Sequence, residues 1–319
     1  MPLKKVLFLN KPHPLLPERL EAIGIICEED LHSSESELED RIGDYFGIVL
    51  RSRISLGRDL ISRAKNLRFI AREGVGLEHI DTDFAESQGI AVLISPEGSK
   101  DTVAEHTLGL LLSLLNNLSR ADRQLREGQW IREANRGVEV KGKTVGLLGY
   151  GNMGAAVAKK LQGFDARVIA YDKYKSNYGD AYARAVSLEQ LHDETDLFSI
   201  HIPYSPANHY FIDGAFLERF RKPIYLINTA RGMVLNTADL VEQLRKGKVL
   251  GAALDVIEYE EGSFDRIRPG DWPAPMKYLL EADNVVLNPH IAGWSFESKK
   301  AHAEVLAFKI EALFSKLKS

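Results

Sequence analysis

Short apolar runs alternate with longer amphipathic stretches from one end of the chain to the other. Val6–Leu9, Ile25–Cys27, Gly47–Leu50, Phe69–Ala71 and Ile90–Leu93 predict a first set of strands. Thr144–Leu148, Arg167–Tyr171, Leu197–His201, Ile224–Asn228, Gly251–Leu254 and Val285–Leu287 predict a second. Several of these runs are continuously apolar, the pattern of a strand covered on both faces in a parallel sheet. Helical patterns separate them, as at Met153–Gln162, Ala238–Lys246 and Phe296–Leu317. This alternation predicts an α/β fold in two parallel-sheet halves. The break at Pro96-Glu97-Gly98 precedes a long helix expected over about Thr102–Glu127. The final helix, after Gly293, is expected to return to the first half.

Composition adds limits. The 319 residues suit about two domains. With 45% hydrophobic and 27% charged residues the chain reads as an ordinary globular protein. A net charge of −4 and the lack of a long basic block give no support to a nucleic-acid partner. The one cysteine, Cys27, permits no intramolecular disulfide and reads as a small buried side chain in a reducing compartment. The apolar start Val6–Leu9 is too short for a signal core, and Leu108–Leu115 is too short to span a bilayer. A cytoplasmic protein with no membrane partner is the expectation.

The most specific chemical signal is Gly149-Tyr150-Gly151-Asn152-Met153-Gly154, between a predicted buried strand and a predicted helix. Gly149 permits a tight turn, Gly151 lets backbone approach a pyrophosphate, and Gly154 lets the helix pack close to the strand. The helix start, at Asn152 and Met153, supplies free N–H groups and the positive end of a dipole. The next strand ends at Asp172, 18 residues past Gly154, near the spacing of a carboxylate that binds ribose hydroxyls. A carboxylate there repels a 2′-phosphate, so NAD is expected over NADP, with Lys173 weakening that preference slightly. About 140 residues precede the loop, which disfavours families that open with their dinucleotide fold.

Three charged residues follow strands of the second half: Arg231 in Asn228-Thr229-Ala230-Arg231-Gly232, Glu260 after Ala253-Leu254-Asp255-Val256, and His290 in Asn288-Pro289-His290-Ile291-Ala292-Gly293. Open α/β sheets place ligands at such positions. Oxidising a 2-hydroxy acid needs a base, a carboxylate clamp and a hydride acceptor. Histidine suits the base, a neighbouring carboxylate orients its ring, and arginine grips a carboxylate bidentately. Glu258 and Glu261 flank Glu260 and leave the choice of carboxylate open on charge alone. The His and Cys spacings match no zinc pattern, and no metal is expected.

At these segments, together with Val103-Ala104-Glu105-His106 and Gly74-Val75-Gly76, the chain resembles the D-isomer-specific 2-hydroxyacid dehydrogenase family over nearly its whole length. The resemblance implies a Rossmann NAD-binding domain, 99–292, inserted in a flavodoxin-like substrate domain, 1–98 with 293–319. It implies Arg231, Glu260 and His290 as catalytic residues, Glu260 lying five residues after Asp255 as in the family. It places Asp255 near the nicotinamide carboxamide and His201 and Pro203 in a cofactor-side loop with mainly backbone contact. It adds Thr102, Thr229, Arg231, His290 and Gly293 to the cofactor site. Two departures bear on local geometry: Glu261 stands where the family usually has proline, and the loop Glu261 to Lys277 looks long. The family often has threonine where Asn208 stands.

For the substrate, Gly74-Val75-Gly76 offers backbone N–H groups, from Val75 and Gly76 in particular, and Arg51-Ser52-Arg53 suits a second anionic group such as phosphate. This stretch most resembles short-form 3-phosphoglycerate dehydrogenases, which makes D-3-phosphoglycerate the leading expectation. Glycerate, lactate or another small acid follows if Arg51 and Arg53 form salt bridges instead. Trp294 stands where a small residue is common and would narrow the pocket. The family implies a homodimer, formed through the helix near Thr102. An NADH-sensing corepressor is the non-enzymatic alternative. Glu260 argues against formate dehydrogenase, whose catalytic histidine pairs with glutamine.

Overall fold

The computed structural model describes residues 4–260 and 272–316. They divide into two compact units, at residues 99/100 and 293/294, with the first unit drawing on both ends of the chain. Its five strands are β1 (Lys5–Phe8), β2 (Ile26–Glu29), β3 (Gly47–Leu50), β4 (Phe69–Arg72) and β5 (Ala91–Ile94). They pair in parallel in the order β2-β1-β3-β4-β5. One face of this sheet packs Leu7, Ile48, Leu50 and Ile70 against Leu38, Leu60 and Ile61. The other packs Val6, Phe8, Val49 and Phe69 against Leu16, Leu20 and the helix Phe296–Lys316, through Ala303, Leu306, Ala307 and Ile310. Each such side chain larger than alanine contributes about 1.5–3 kcal/mol by burial, so a strand buried on both faces has to be apolar throughout.

The second unit holds β6 (Thr144–Leu148), β7 (Arg167–Tyr171), β8 (Arg184–Ala185), β9 (Leu197–Ile200), β10 (Ile224–Asn228), β11 (Val249–Leu254) and β12 (Val285–Leu287). The parallel order is β12-β11-β10-β9-β6-β7-β8. The order reverses between β6 and β9, whose carboxyl ends therefore leave a crevice where such sheets bind ligands. The expected α/β architecture with two parallel sheets is what the chain adopts. The pattern gave no sign of β8, two exposed residues at a sheet edge with no burial periodicity.

One predicted helix differs. The expected Thr102–Glu127 is two helices, Pro96–Leu115 and Leu118–Arg126. Proline is suited to the first turn, where its missing N–H loses no bond, so Pro96 opens the helix that it was expected to precede. Asn117 breaks it with φ +55°, a left-handed conformation that asparagine tolerates better than most residues. Of the stretch Glu261–Lys277, residues 261–271 lie outside the described residues, and the last four residues form the first turn of the helix Ala274–Glu281.

Candidate active site

The glycine loop joins β6 to the helix Asn152–Lys160. Gly149 has φ +96°, and a Cβ there would stand 2.6 Å from the His201 carbonyl oxygen. A Cβ on Gly154 would overlap the Gly149 carbonyl oxygen, whereas one on Gly151 would meet nothing within 4 Å. The turn is thus closed at its first and last glycines and open at the middle one, beside the amides of Asn152 and Met153. That is the space a pyrophosphate needs, and the loop fits a dinucleotide. His201 adds its carbonyl to this wall, and its ring bonds Ser199 Oγ through Nε2 at 2.9 Å. Asn208 closes the following loop by donating to the Pro203 carbonyl at 2.9 Å. Thr102 lies partly exposed in the second turn of the helix Pro96–Leu115.

Asp172 braces the same loop. Its carboxylate accepts from the amides of Tyr150 at 2.9 Å, Tyr174 at 3.0 Å and Lys175 at 3.2 Å. Lys175 Nζ also donates to the Tyr150 carbonyl at 2.6 Å. With about four lone-pair positions on a carboxylate, one remains for a ribose hydroxyl.

The catalytic candidates converge after β10, β11 and β12. Asn228 shapes the arginine loop: its Oδ1 accepts from the Ala230 amide at 3.0 Å and its Nδ2 donates to the Arg231 carbonyl at 3.1 Å. Arg231 Nη1 donates to the Ala230 carbonyl at 2.7 Å. Gly232 packs on the backbone of Ile257 and Glu258 with no room for a Cβ, which sets the arginine loop against the glutamate loop. Glu260 Oε1 accepts from the Ile257 amide at 2.6 Å, and its Oε2 lies 2.7 Å from His290 Nδ1. Glu258 is engaged elsewhere, accepting from the Thr237 amide at 2.9 Å, so geometry separates it from Glu260, and Glu261 lies outside the described residues.

His290 sits at φ +55°. Asp255 holds it in that strained conformation: its carbonyl accepts from the His290 amide at 2.7 Å, and its carboxylate accepts from Ile291 at 2.9 Å and Ala292 at 2.8 Å. Gly293 closes the unit just beyond. The Asp255 side chain is fully buried and braces the histidine loop through these two amides.

Residues 108–292 match the model of the D-isomer specific 2-hydroxyacid dehydrogenase NAD binding domain, more than half of the chain. The chain belongs to this family. It is 37% identical over 279 residues to the hydroxypyruvate reductase of Thermotoga maritima, covering 88% of each protein. It is 34% identical to the D-3-phosphoglycerate dehydrogenase of Archaeoglobus fulgidus over 86% of this chain but only 51% of that one, so it spans about half the length of that relative. The D-lactate dehydrogenase of Aquifex aeolicus, solved with NAD and lactic acid, superposes with a TM-score of 0.81 at 30% identity, over 98% of this chain and 96% of that one. The family fixes the reaction class, an NAD(P)-linked dehydrogenase acting on the CH–OH of a 2-hydroxy acid. Among the described residues no cluster suited to a metal ion occurs, and no helix is long and apolar enough to cross a membrane.

The substrate candidates of the first unit separate into engaged and available groups. Arg53 donates to three carbonyls, Leu9 at 2.8 Å, Ser33 at 2.6 Å and Asp30 at 2.7 Å, and so ties the ends of β1, β2 and β3 together. This corrects its assignment as half of an anion-binding pair. Gly74 N–H is also engaged, with Ser95 Oγ at 3.0 Å and the Arg72 carbonyl at 2.8 Å. Val75 and Gly76 N–H groups meet no acceptor among the described residues. Arg51 lies over the Trp294 ring at 4.7 Å, and Ser52 beside it is partly exposed. Sequence reasoning passed over Glu73, a buried carboxyl at the end of β4, and Thr107, a buried hydroxyl on the helix Pro96–Leu115, and it gave His106 no role in the site.

Proposed function

We propose that the protein interconverts a D-2-hydroxy acid and its 2-keto acid with Arg231, Glu260 and His290 as the catalytic residues. The 2.7 Å contact between His290 Nδ1 and Glu260 Oε2 carries this reading. NAD, held by its pyrophosphate at the glycine loop, would supply the hydride acceptor. A carboxylate at Nδ1 keeps a proton on that nitrogen and leaves Nε2 as the basic one. In oxidation His290 takes the hydroxyl proton at Nε2, and Glu260 stabilises the imidazolium; in reduction the proton returns to the carbonyl oxygen. Arg231 grips the substrate carboxylate and polarises the carbonyl. Within the first unit, the Val75 and Gly76 amides, which meet no acceptor among the described residues, suit an anionic oxygen.

The substrate we favour is small and unphosphorylated, of the hydroxypyruvate/D-glycerate kind. Arg53, half of the arginine pair that pointed to D-3-phosphoglycerate, is held by backbone carbonyls, leaving Arg51 alone of the two for a second anion. Asp172 at the ribose position supports NAD over NADP. A homodimer belongs to the same reading: Leu118, Leu125, Trp130 and Ile131 are all large apolar side chains at least 41% exposed, surface of the kind a second copy covers. Light scattering tests that assembly.

The deciding experiment measures hydroxypyruvate, glyoxylate, pyruvate and phosphohydroxypyruvate with NADH and with NADPH, for the wild type and His290→Ala. Turnover highest with hydroxypyruvate and NADH, and lost in the variant while NADH still binds, supports the proposal. No turnover with any acid beside tight NADH binding favours the corepressor reading instead. Preference for phosphohydroxypyruvate overturns the substrate assignment.

A further inference from the structure

Two consecutive side chains of the helix Pro96–Leu115 reach the stems of both catalytic loops. His106 Nε2 lies 3.0 Å from Asn288 Nδ2 and 3.4 Å from Asp255 Oδ1. Thr107 Oγ1 lies 3.0 Å from Thr229 Oγ1 and donates its one proton to the Val103 carbonyl at 2.7 Å, so the Thr229 hydroxyl is the donor between them. Asn288 stands two residues before His290, and Thr229 two residues before Arg231. One rigid turn of helix therefore contacts the stems of the loops that carry the base and the clamp.

We propose that His106 is a positioning residue for His290, acting through Asn288 and Asp255, and that Thr107 is a positioning residue for Arg231, acting through Thr229. The proposal rests on the catalytic assignment above. The physical need is plain on the histidine side. His290 occupies a left-handed backbone conformation that costs about 1–3 kcal/mol and persists only when its surroundings hold it. Asp255 does the holding with its carbonyl and both carboxylate oxygens, inside a site where it is fully buried. Burial alone pushes the Asp255 carboxyl up, and the His106 ring with the amides of Ala292 and Ile291 more than offsets this, holding it below the usual carboxylate range. With a bare Nε2 the imidazole accepts from Asn288. With a proton there it donates to Asp255. Either way it bonds the stem of the histidine loop or the carboxylate that fixes that loop. On the arginine side, Thr229 is buried and its hydroxyl needs an acceptor, which Thr107 provides.

The variants are His106→Ala, His106→Gln, Thr107→Val and Thr107→Ser. Kinetics with NADH and the best acid of the panel run beside hydrogen exchange of peptides spanning residues 228–232 and 287–293. In His106→Ala, kcat falls by about 10–100-fold, the scale expected when a reacting group shifts by an ångström or less, and KM for NADH is retained. Exchange quickens at 287–293 and not at 228–232. Glutamine, which accepts or donates at the same reach, restores most of both. Thr107→Val raises KM for the keto acid and loosens 228–232, and serine reverses it. Wild-type kcat and exchange in His106→Ala overturn the proposal, as does equal loosening of both loops by either variant, which is general damage to the helix. Where the alanine or valine variant does not fold, exchange in the glutamine and serine variants decides it, since a purely space-filling role predicts no rescue by hydrogen-bonding capacity. An active His290→Ala control would instead overturn the catalytic assignment itself.

Discussion

Replacing Glu73 with glutamine should stabilise the first unit at neutral pH and remove a pH dependence that the wild type shows. Glu73 follows β4 and is 4% exposed, and its Oε1 meets no hydrogen-bond partner among the described residues. Burial pushes its carboxyl from 4.5 up to about 7, against the opposing pull of Arg51, Lys299 and Arg72. The folded state thus holds this proton more tightly than the unfolded chain. The stability it contributes is full below pH 4.5 and is lost as pH rises through about 7. At 1.36 kcal/mol per pH unit the loss amounts to about 3 kcal/mol. Glutamine carries no charge at any pH, so Glu73→Gln should exceed the wild type by up to about 3 kcal/mol at pH 8 and match it near pH 4.5. The assay is hydrogen exchange of peptides covering β4 and β5 from pH 5 to 8, corrected for intrinsic exchange, with denaturant titration in parallel. Comparing the two proteins at each pH cancels the buried imidazoles of His192 and His302, both pushed down to about 4, chiefly by burial. Those rings destabilise both variants alike as pH falls from 6.5 toward 4. A stability difference that does not change with pH, or a less stable glutamine variant at pH 8, refutes the reasoning.

Other outcomes follow from the same geometry. Glu260→Gln should lower kcat by about 10²-fold or more while NADH binding, read by fluorescence, stays within a few-fold, because only orientation and charge at His290 Nδ1 are lost. Arg53→Ala should destabilise the first unit by about 2–3 kcal/mol through its three carbonyl bonds and leave KM near wild type, whereas Arg51→Ala should do the reverse. Cys27, its thiol pushed up to about 12 by burial and then by Glu21, should react with iodoacetamide at pH 8 at least about 10²-fold more slowly than free cysteine.

Much of the fold was legible because burial on both faces forces a parallel strand to be apolar throughout, and all eleven predicted strands fall within two residues of those observed at both ends. The exceptions have local causes. β8 has no buried face to write a pattern, and Asn117 breaks a helix by a backbone conformation that leaves the apolar spacing on either side intact. The glycine loop was legible for the opposite reason: two of its three glycines are closed by backbone oxygens where a Cβ would stand, and the middle one leaves space for a ligand to approach the backbone.

The candidate site divides differently, according to where each polar group finds its partner. A residue type announces what it can bond, not what it does bond. Arg51 and Arg53 are alike in sequence, yet one guanidinium lies over an indole ring and the other is fastened to three carbonyls from Leu9, Asp30 and Ser33, residues up to 44 positions away. Gly74 and Gly76 are alike too, and only the first has its amide engaged by Ser95, 21 positions on. Asp255, expected beside the nicotinamide, is also a brace, because the amides of Ile291 and Ala292 reach it from the loop after β12. Every one of these distinctions is made by a long-range partner that sequence spacing does not encode. The same rule distinguishes Glu260 from Glu258, which charge alone could not: each accepts a backbone amide, from Ile257 and Thr237 respectively, and of the two only Glu260 has a second oxygen aimed at an imidazole. A group whose capacity is filled by the fold serves the fold, and the chemistry falls to the groups that the fold positions but does not fill.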